Sequence, residues 1–247
     1  MNSELYRRMA EVERVHWWYQ GRNAIICQFL HGISLPENAR ILDVGCGTGA
    51  LTERLTEFGS VVACDPSDFA VSQIRPESQI VAIKPEQLEG QPQWKGYFDL
   101  IGFFDVLEHA SSDTALLEQY LRYLKPAGIV VASVPAWKIF WGDHDVAAGH
   151  FRRYRLATLV KACDAVGLRL ERATYFNLLL APLVFLVRIS QKFGTTKSEC
   201  GDLTLPARPL NTLLKWIFLL EGHWLRVATL PFGVSLLASF RKPAAVP

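Results

Sequence analysis

Between Trp137 and Tyr154 the chain places two histidines, two aspartates, two arginines and two tryptophans within about 18 residues, an unusual density for a connector. Imidazoles titrate near neutral pH, so His144 or His150 is a candidate general base for a hydroxyl. Arg152 and Arg153 carry planar forks suited to an acceptor's phosphate or carboxylate. The same residues also allow a plainer reading, a loop pinned by Asp–Arg salt bridges. A metal site from Asp143, His144 and His150 has weaker support, and no metal is expected. A second reactive group is Asp105-Val106-Leu107-Glu108-His109. There Asp105 is a candidate for contact with a ligand. His109 is either a base or a group that orients the loop, and Glu108 reads as structural.

The elements that must position these residues begin with a glycine loop. Ile41-Leu42-Asp43-Val44-Gly45-Cys46-Gly47-Thr48-Gly49 runs from a strand into a turn, and Leu51, Leu55 and Phe58 then recur at helical spacing. Glycine admits unusual backbone angles and lets a ligand lie against the chain. The helix start behind the turn offers free N–H groups and partial positive charge. These features predict a site for a nucleoside-containing cofactor. Gly45, Gly47 and Ala50 satisfy a dinucleotide fingerprint, and Asp65 follows at the distance of a ribose acid. That match alone leaves a dinucleotide-dependent oxidoreductase open. Gly49 and an acid two places before the first glycine favour another ligand, because Asp43 would attract a cationic amino acid end and repel a pyrophosphate.

This loop resembles the S-adenosylmethionine site of class I methyltransferases, and further segments match that family in order. Val61 to Asp65 reads as a second strand ending in an acid, Ser67 to Arg75 as a helix and Ile80 to Ile83 as a third strand. Tyr97 to Phe104 is a fourth strand. The amphipathic helix of Leu116, Leu117, Tyr120, Leu121 and Leu124 leads through Lys125-Pro126-Ala127-Gly128 to a fifth strand, Ile129 to Val134. The resemblance implies that Asp43, Gly45, Cys46, Gly47, Gly49, Asp65, Pro66 and Asp105 bind S-adenosylmethionine. Val15 to Arg22, His-Trp-Trp-Tyr-Gln-Gly-Arg after its first residue, is similar to an element lying over the cofactor in related proteins. Arg22 would there meet the methionine carboxylate. The segment from Val134 to Tyr154 is similar to members associated with bacterial cell-surface glycan and lipid-linked sugar pathways. One departure is Lys84, which stands where the family usually places an acid against adenine. It is the best argument for a catalytically degenerate adaptor.

The fold expected is α/β, a doubly wound, mostly parallel seven-stranded sheet, divided into a helical cover (1–35), a cofactor-binding core (36–175), a helical insertion (176–232) and a last strand with tail (233–247). Gly167 to Tyr175 is the expected sixth strand and Val234 to Phe240 the seventh. The insertion is expected to cap the acceptor side, with a mobile loop from Gly194 to Pro209.

Composition sets the bounds. Half of the 247 residues are hydrophobic, which suffices for a sizeable core. Cysteines 27, 46, 64, 163 and 200 show no metal-like spacing, and a polar start without a signal peptide suits a reducing cytoplasm. Residues 1–150 hold 12 Lys/Arg and 19 Asp/Glu, whereas residues 151–247 hold 14 and 5. The basic half is interleaved with apolar runs, Leu178 to Ile189 and Leu213 to Leu230, too short or too interrupted to span a bilayer. Trp216 and Trp224 with flanking cations suit a headgroup boundary, so an anionic membrane surface is an expected partner and nucleic acid is not. A pair of soluble cap helices is the alternative. The function expected is S-adenosylmethionine-dependent O-methylation of an amphipathic or membrane-held acceptor, such as a lipid-linked saccharide or an isoprenoid compound, by a cytoplasmic enzyme peripheral at the inner membrane face. The oligomeric state is left open.

Overall fold

The structure is a computed structural model and describes residues 3–75, 79–193 and 204–244. Seven strands form one sheet in the order β3-β2-β1-β4-β5-β7-β6. They are β1 (Ala39–Val44), β2 (Gly59–Cys64), β3 (Ile80–Ile83), β4 (Phe98–Phe104), β5 (Leu124–Pro135), β6 (Arg169–Phe176) and β7 (Ser235–Arg241). Among the described residues the ten α-helices are α1 (Ser3–Val12), α2 (Trp17–His31), α3 (Ala50–Leu55), α4 (Asp68–Gln73), α5 (Pro85–Glu89), α6 (Asp113–Leu121), α7 (Asp143–Ala148), α8 (Leu156–Ala165), α9 (Ala181–Phe193) and α10 (Arg208–Trp224). Strands β1 to β5 pair in parallel, and β7 runs antiparallel to both β5 and β6. This is the expected seven-stranded, mostly parallel arrangement.

Both faces of the sheet are covered, which is why its central strands read as near-continuous apolar runs. Alternation decides the sides. Ile41, Val61, Leu100, Val131 and Leu237 face a core shared with α2, α3 and α10. Their neighbours Leu42, Val62, Ile101, Val130 and Leu236 face α6 and α8 through Leu117, Leu121, Leu159 and Cys163. The strand order reverses between β1 and β4, so the crevice of this sheet opens beyond their carboxyl ends. The glycine loop leaves β1 there, and the Asp105–His109 segment leaves β4 beside it.

Only the first insertion helix lies over the expected edge. α9 meets the segment after β5 through Phe185 and Phe140, whose rings are 6.5 Å apart. α10 turns back onto the sheet face and packs along α2, where Leu214, Phe218 and Leu225 are buried with Ile25 and Phe29. Gly21 makes this crossing possible, since a side chain there would collide with the Phe218 ring. Glu221, which looks in sequence like a charge interrupting an apolar run, ties α10 to the end of β6. Its carboxylate is buried and accepts the backbone N–H groups of Asn177, Leu178 (2.7 Å) and Leu179 (3.0 Å), at the junction between β6 and α9. Most of the expected mobile loop, Gly194 to Pro209, lies outside the described residues, as does Cys200.

Removing the acceptor strands the buried Asn177 donor and the half-buried Leu178 donor together, each costing roughly 1–3 kcal/mol. Glu221→Ala is therefore expected to lower the unfolding free energy by about 3 kcal/mol in urea titration. A change below about 0.5 kcal/mol, the range of ordinary surface substitutions, would show that α10 is held by its apolar face alone.

Candidate active site

The turn after β1 has the backbone its glycines predict. Gly45, Gly47 and Gly49 have φ of 67°, 58° and 93°, all in the left-handed region. The N–H groups of Gly45 (2.7 Å) and Cys46 (3.2 Å) donate to the Cys64 carbonyl, fastening the turn to the end of β2. Asp65, one residue beyond β2, accepts the N–H of Gly47 (3.0 Å) on one oxygen and that of Ser67 (2.9 Å) on the other. Asp43 and Asp65 are both buried, and Pro66 follows Asp65 on the exposed rim.

Asp43 is the most costly of these groups. The Thr52 hydroxyl donates to it at 2.6 Å. Burial nevertheless pushes its pKa up to about 6, against the opposing pull of Thr52 and Arg22. A buried carboxylate short of positive charge fits a ligand that brings an ammonium group. The left-handed turn, whose glycines let neighbouring groups approach the backbone more closely than a side chain would allow, fits the rest of S-adenosylmethionine.

The N-terminal helices lie over this edge. Tyr6 on α1 donates its hydroxyl to Asp65 (2.9 Å), and a Cβ on Gly47 would come within 2.7 Å of Met9 Cε. Nothing in sequence spacing signals Tyr6, because the contact spans 59 positions. Arg22 on α2 is buried. Its Nε donates to Asp105 (2.6 Å), its other nitrogens to Asn23 (3.0 Å) and the Phe104 carbonyl (2.9 Å), and its guanidinium lies 5.6 Å from the Trp18 ring. Of the three consecutive aromatics, Trp17 meets Phe218 of α10 and Trp18 meets Tyr19 edge-on.

Asp105 has a φ of 58°, an uncommon conformation for a side-chain-bearing residue. It is held there by Arg22, by the Ser133 hydroxyl (3.2 Å) and by its own N–H on the Ser133 carbonyl (2.9 Å). Val106 abuts the glycine loop, with Val106 Cγ2 2.6 Å from where a Gly45 Cβ would stand. The segment that carries Glu108 and His109 thus leaves β4 beside the glycine turn.

Three histidines from two loops converge here. The His109 ring centre is 4.6 Å from that of His150, and His144 is 5.8 Å from His150 on another side. Burial, then the nearby His150, lowers the His109 pKa to about 4. Asp145, wholly buried, receives His150 Nδ1 (2.8 Å), Arg153 through two nitrogens (2.8 and 2.9 Å) and the Gly142 N–H (2.8 Å). Burial works against it, but the bonds from His150 and Arg153 hold its carboxyl well below the ordinary carboxylate range. Arg152 pairs with Asp113 (3.1 Å) and donates to the Ala110 (3.0 Å) and Ser111 (2.6 Å) carbonyls. Both arginines therefore pin the loop, as the plainer reading held, rather than awaiting an anionic acceptor. Glu108, read as structural, has a buried carboxylate, and neither oxygen has a hydrogen-bond partner among the described residues. Together with His109 and His150 it forms a group whose ligand atoms lie within 4.8 Å of one another. Asp143 is not in that group, so the metal-capable set differs from the one considered in sequence. Lys84 caps the start of α5 and pairs with Asp68 (3.2 Å).

Comparison with known proteins agrees with this geometry. A family model described as a methyltransferase domain matches residues 17–173. The chain belongs to this family, as a methyltransferase domain of the S-adenosylmethionine-dependent class. It is 32% identical over 116 residues to a ubiquinone biosynthesis O-methyltransferase of Rhodopseudomonas palustris, covering 44% of this chain and 45% of that protein. A namesake from Xanthomonas axonopodis is 30% identical over 140 residues, covering 51% and 58%. The chain thus spans about half the length of these curated relatives. Among solved structures, a complex of the Haloferax volcanii Trm112 methyltransferase activator with an inferred methyltransferase aligns over 99% of this chain and 96% of the matched one, with TM-score 0.64 and 16% identity. The N-methyltransferase NodS of Bradyrhizobium japonicum, solved with S-adenosylhomocysteine, aligns over 90% and 85%, with TM-score 0.52 and 16% identity. At such identities the likeness is one of fold.

A folded-state pKa near 6 against an ordinary 3.8 means that ionised Asp43 destabilises the ligand-free protein. That cost is absent below pH 4, grows between pH 4 and 6, and is constant above. Asp43→Asn is expected to stabilise the ligand-free protein by about 1–3 kcal/mol at pH 7.5 and by nothing at pH 3.5. Equal urea midpoints of variant and parent at pH 7.5 would contradict this account of Asp43.

Proposed function

We propose that the protein is an S-adenosylmethionine-dependent O-methyltransferase acting on a hydroxyl of an amphipathic, membrane-held acceptor. The carrying observation is the convergence of three histidines and a buried, unpartnered carboxylate beside a glycine cofactor turn. A carboxylate acceptor needs no base, whereas a hydroxyl gains from one. An isoprenoid compound suits the printed names of the matched relatives better than a lipid-linked saccharide.

When bound, S-adenosylmethionine supplies a methyl group on a sulfonium, transferred by in-line displacement. Asp43 holds the ammonium end, Gly45, Cys46, Gly47 and Gly49 present backbone to the ligand, and Asp65 takes the ribose hydroxyls. Arg22 and Asp105, locked together, set the wall between cofactor and acceptor, with Arg22 near the methionine carboxylate. The histidine cluster draws off the acceptor proton, with His144, His150 and His109 as its candidates. Alignment of the acceptor oxygen with the methyl carbon supplies much of the acceleration.

A membrane-held acceptor is supported by α10. Its face opposite the sheet exposes Leu213, Trp216, Leu220 and Trp224, and Val227 continues the row beyond its end. Arg226 lies beside them, exposed. No described helix is long and apolar enough to cross a bilayer, so this face would lie in the headgroup boundary.

Two measurements test the reading. In calorimetric titration S-adenosylmethionine is expected to bind saturably and NAD not at all, with affinity at least tenfold lower, about 1.4 kcal/mol, in Asp43→Asn and Asp65→Ala. Binding of NAD alone would sink the methyltransferase assignment, and binding of neither, membranes present, would favour the adaptor. In flotation assays the protein is expected to follow vesicles containing phosphatidylglycerol, and Trp216→Ser/Trp224→Ser to lose at least tenfold in partitioning. Equal flotation of parent and double variant would remove the interfacial role of α10.

A further inference from the structure

We propose that the groove along the C-terminal halves of α2 and α10 is a binding site for an organic phosphate, separate from the cofactor turn and from the histidines. Its occupancy is independent of the methyltransferase reading.

The groove follows from how the two helices meet. They run side by side in one direction, joined near their starts by Asn211, which accepts the Trp17 N–H (2.9 Å) and donates to the Val15 carbonyl (2.9 Å). They touch again where Gly21 faces the Phe218 ring. Towards their C-terminal ends lies a cavity of about 630 Å³, a size typical of small-molecule sites.

Its walls are strongly cationic. Arg54, Arg172 and Arg226 line it with His31 and His223, and none of the described lining residues is acidic. One carboxylate stands close by: Glu57 pairs with Arg54 (3.3 Å) and lies 3.9 Å from His31. Among the described residues Arg172 and Arg226 have no carboxylate partner.

Cations at a helix C-terminus can serve simply to answer its last carbonyls. Arg172 does so in part, with one nitrogen donating to the Leu225 carbonyl (2.9 Å), and His223 Nδ1 lies 3.1 Å from the Leu219 carbonyl. Capping does not account for the rest. The Arg172 guanidinium is seated 4.8 Å from the centre of the Phe29 ring, and Gly32 leaves room for it, since a Cβ there would stand 2.3 Å from Arg172 Nη1. Gln28 lines the same groove, and its Nε2 is buried with no hydrogen-bond partner among the described residues. Such orphaned donors are uncommon in native folds and costly to keep.

A phosphate group meets these donors together, because its oxygens accept several N–H groups and match arginine forks. A carboxylate has too few oxygens for three guanidinium groups and an amide. The apolar flank of Ile25, Leu219 and Trp216 sets the rest of the ligand, a phosphate ester with an apolar body. Trp216 also belongs to the outward row of α10, so that body is either a soluble compound or the chain of a lipid.

The test titrates the full chain by calorimetry with phenyl phosphate, with dihexanoyl phosphatidic acid below its micelle concentration, and with inorganic phosphate. One saturable site per chain is expected for an ester, and the tighter of the two esters identifies the source as soluble or lipid. Arg172→Gln, Arg226→Gln and Gln28→Leu are each expected to weaken binding about tenfold, the loss of one charge-assisted hydrogen bond. Lys161→Gln removes an exposed charge from α8, on the opposite face of the sheet, and should bind as the parent does. Circular dichroism verifies the fold of each variant. Failure of both esters to bind, or binding indifferent to the three substitutions, would overturn the site and leave the cations as helix caps. Inorganic phosphate binding as tightly as either ester would overturn the organic part of the assignment. S-adenosylmethionine titrations on the same preparations read the methyltransferase site separately, so failure of one is distinct from failure of the other.

Discussion

The structure depends on keeping several carboxylates wholly or partly buried at one edge of a sheet with few cations to answer them. Asp43, Asp65, Asp105 and Glu108 all lie at the carboxyl ends of β1, β2 and β4, where the strand order reverses. Arg22 meets one of them directly, and backbone N–H groups and hydroxyls serve Asp43 and Asp65. Glu108 has neither. Burial of this kind costs stability that the rest of the fold must offset, and such costs concentrate where a protein binds charge or performs chemistry. Here the poorly served carboxyls have two addresses, one at the glycine turn and one at the histidines, where burial pushes the Glu108 carboxyl well above the ordinary carboxylate range.

The surrounding elements make sense as supports for that edge. α1 and α2 lay Tyr6 and Arg22 over it. The Arg152–Asp113 and Arg153–Asp145 pairs hold the loop after β5 rigid, so His150 is presented at a set angle rather than on a mobile tether. The left-handed residues Asp105 and Trp137 sit at the two loop starts, each locked by tertiary bonds. Strain of this type persists only where neighbours over-determine it. The insertion contributes at a distance: Glu221 ties α10 to the end of β6, and one apolar row of α10 faces outward.

Much of this was legible in sequence because it is local. Strand and helix patterns, the glycine spacing and the acids at Asp43 and Asp65 are periodicities or short motifs, and each is dictated by geometry within a few residues. The mostly parallel seven-stranded arrangement was what the family resemblance implied, and the structure has it. The readings that changed were those of single charged side chains. Arg152 and Arg153 read as anion receptors because their chemistry allows it, yet partners that only folding brings near had already taken them. Glu221 read as an interruption and is an anchor. Glu108 read as structural, and among the described residues its buried carboxylate has no hydrogen-bond partner.

The amino-acid sequence by itself determined the α/β architecture, the cofactor turn and the set of residues able to do acid–base chemistry. Backbone propensity and apolar periodicity act over distances the chain order preserves. Only the tertiary structure decided which charges are already spent on one another and which remain for a ligand. Pairing of charges is settled by contacts between residues as far apart as Arg22 and Asp105, and by the exclusion of water around them.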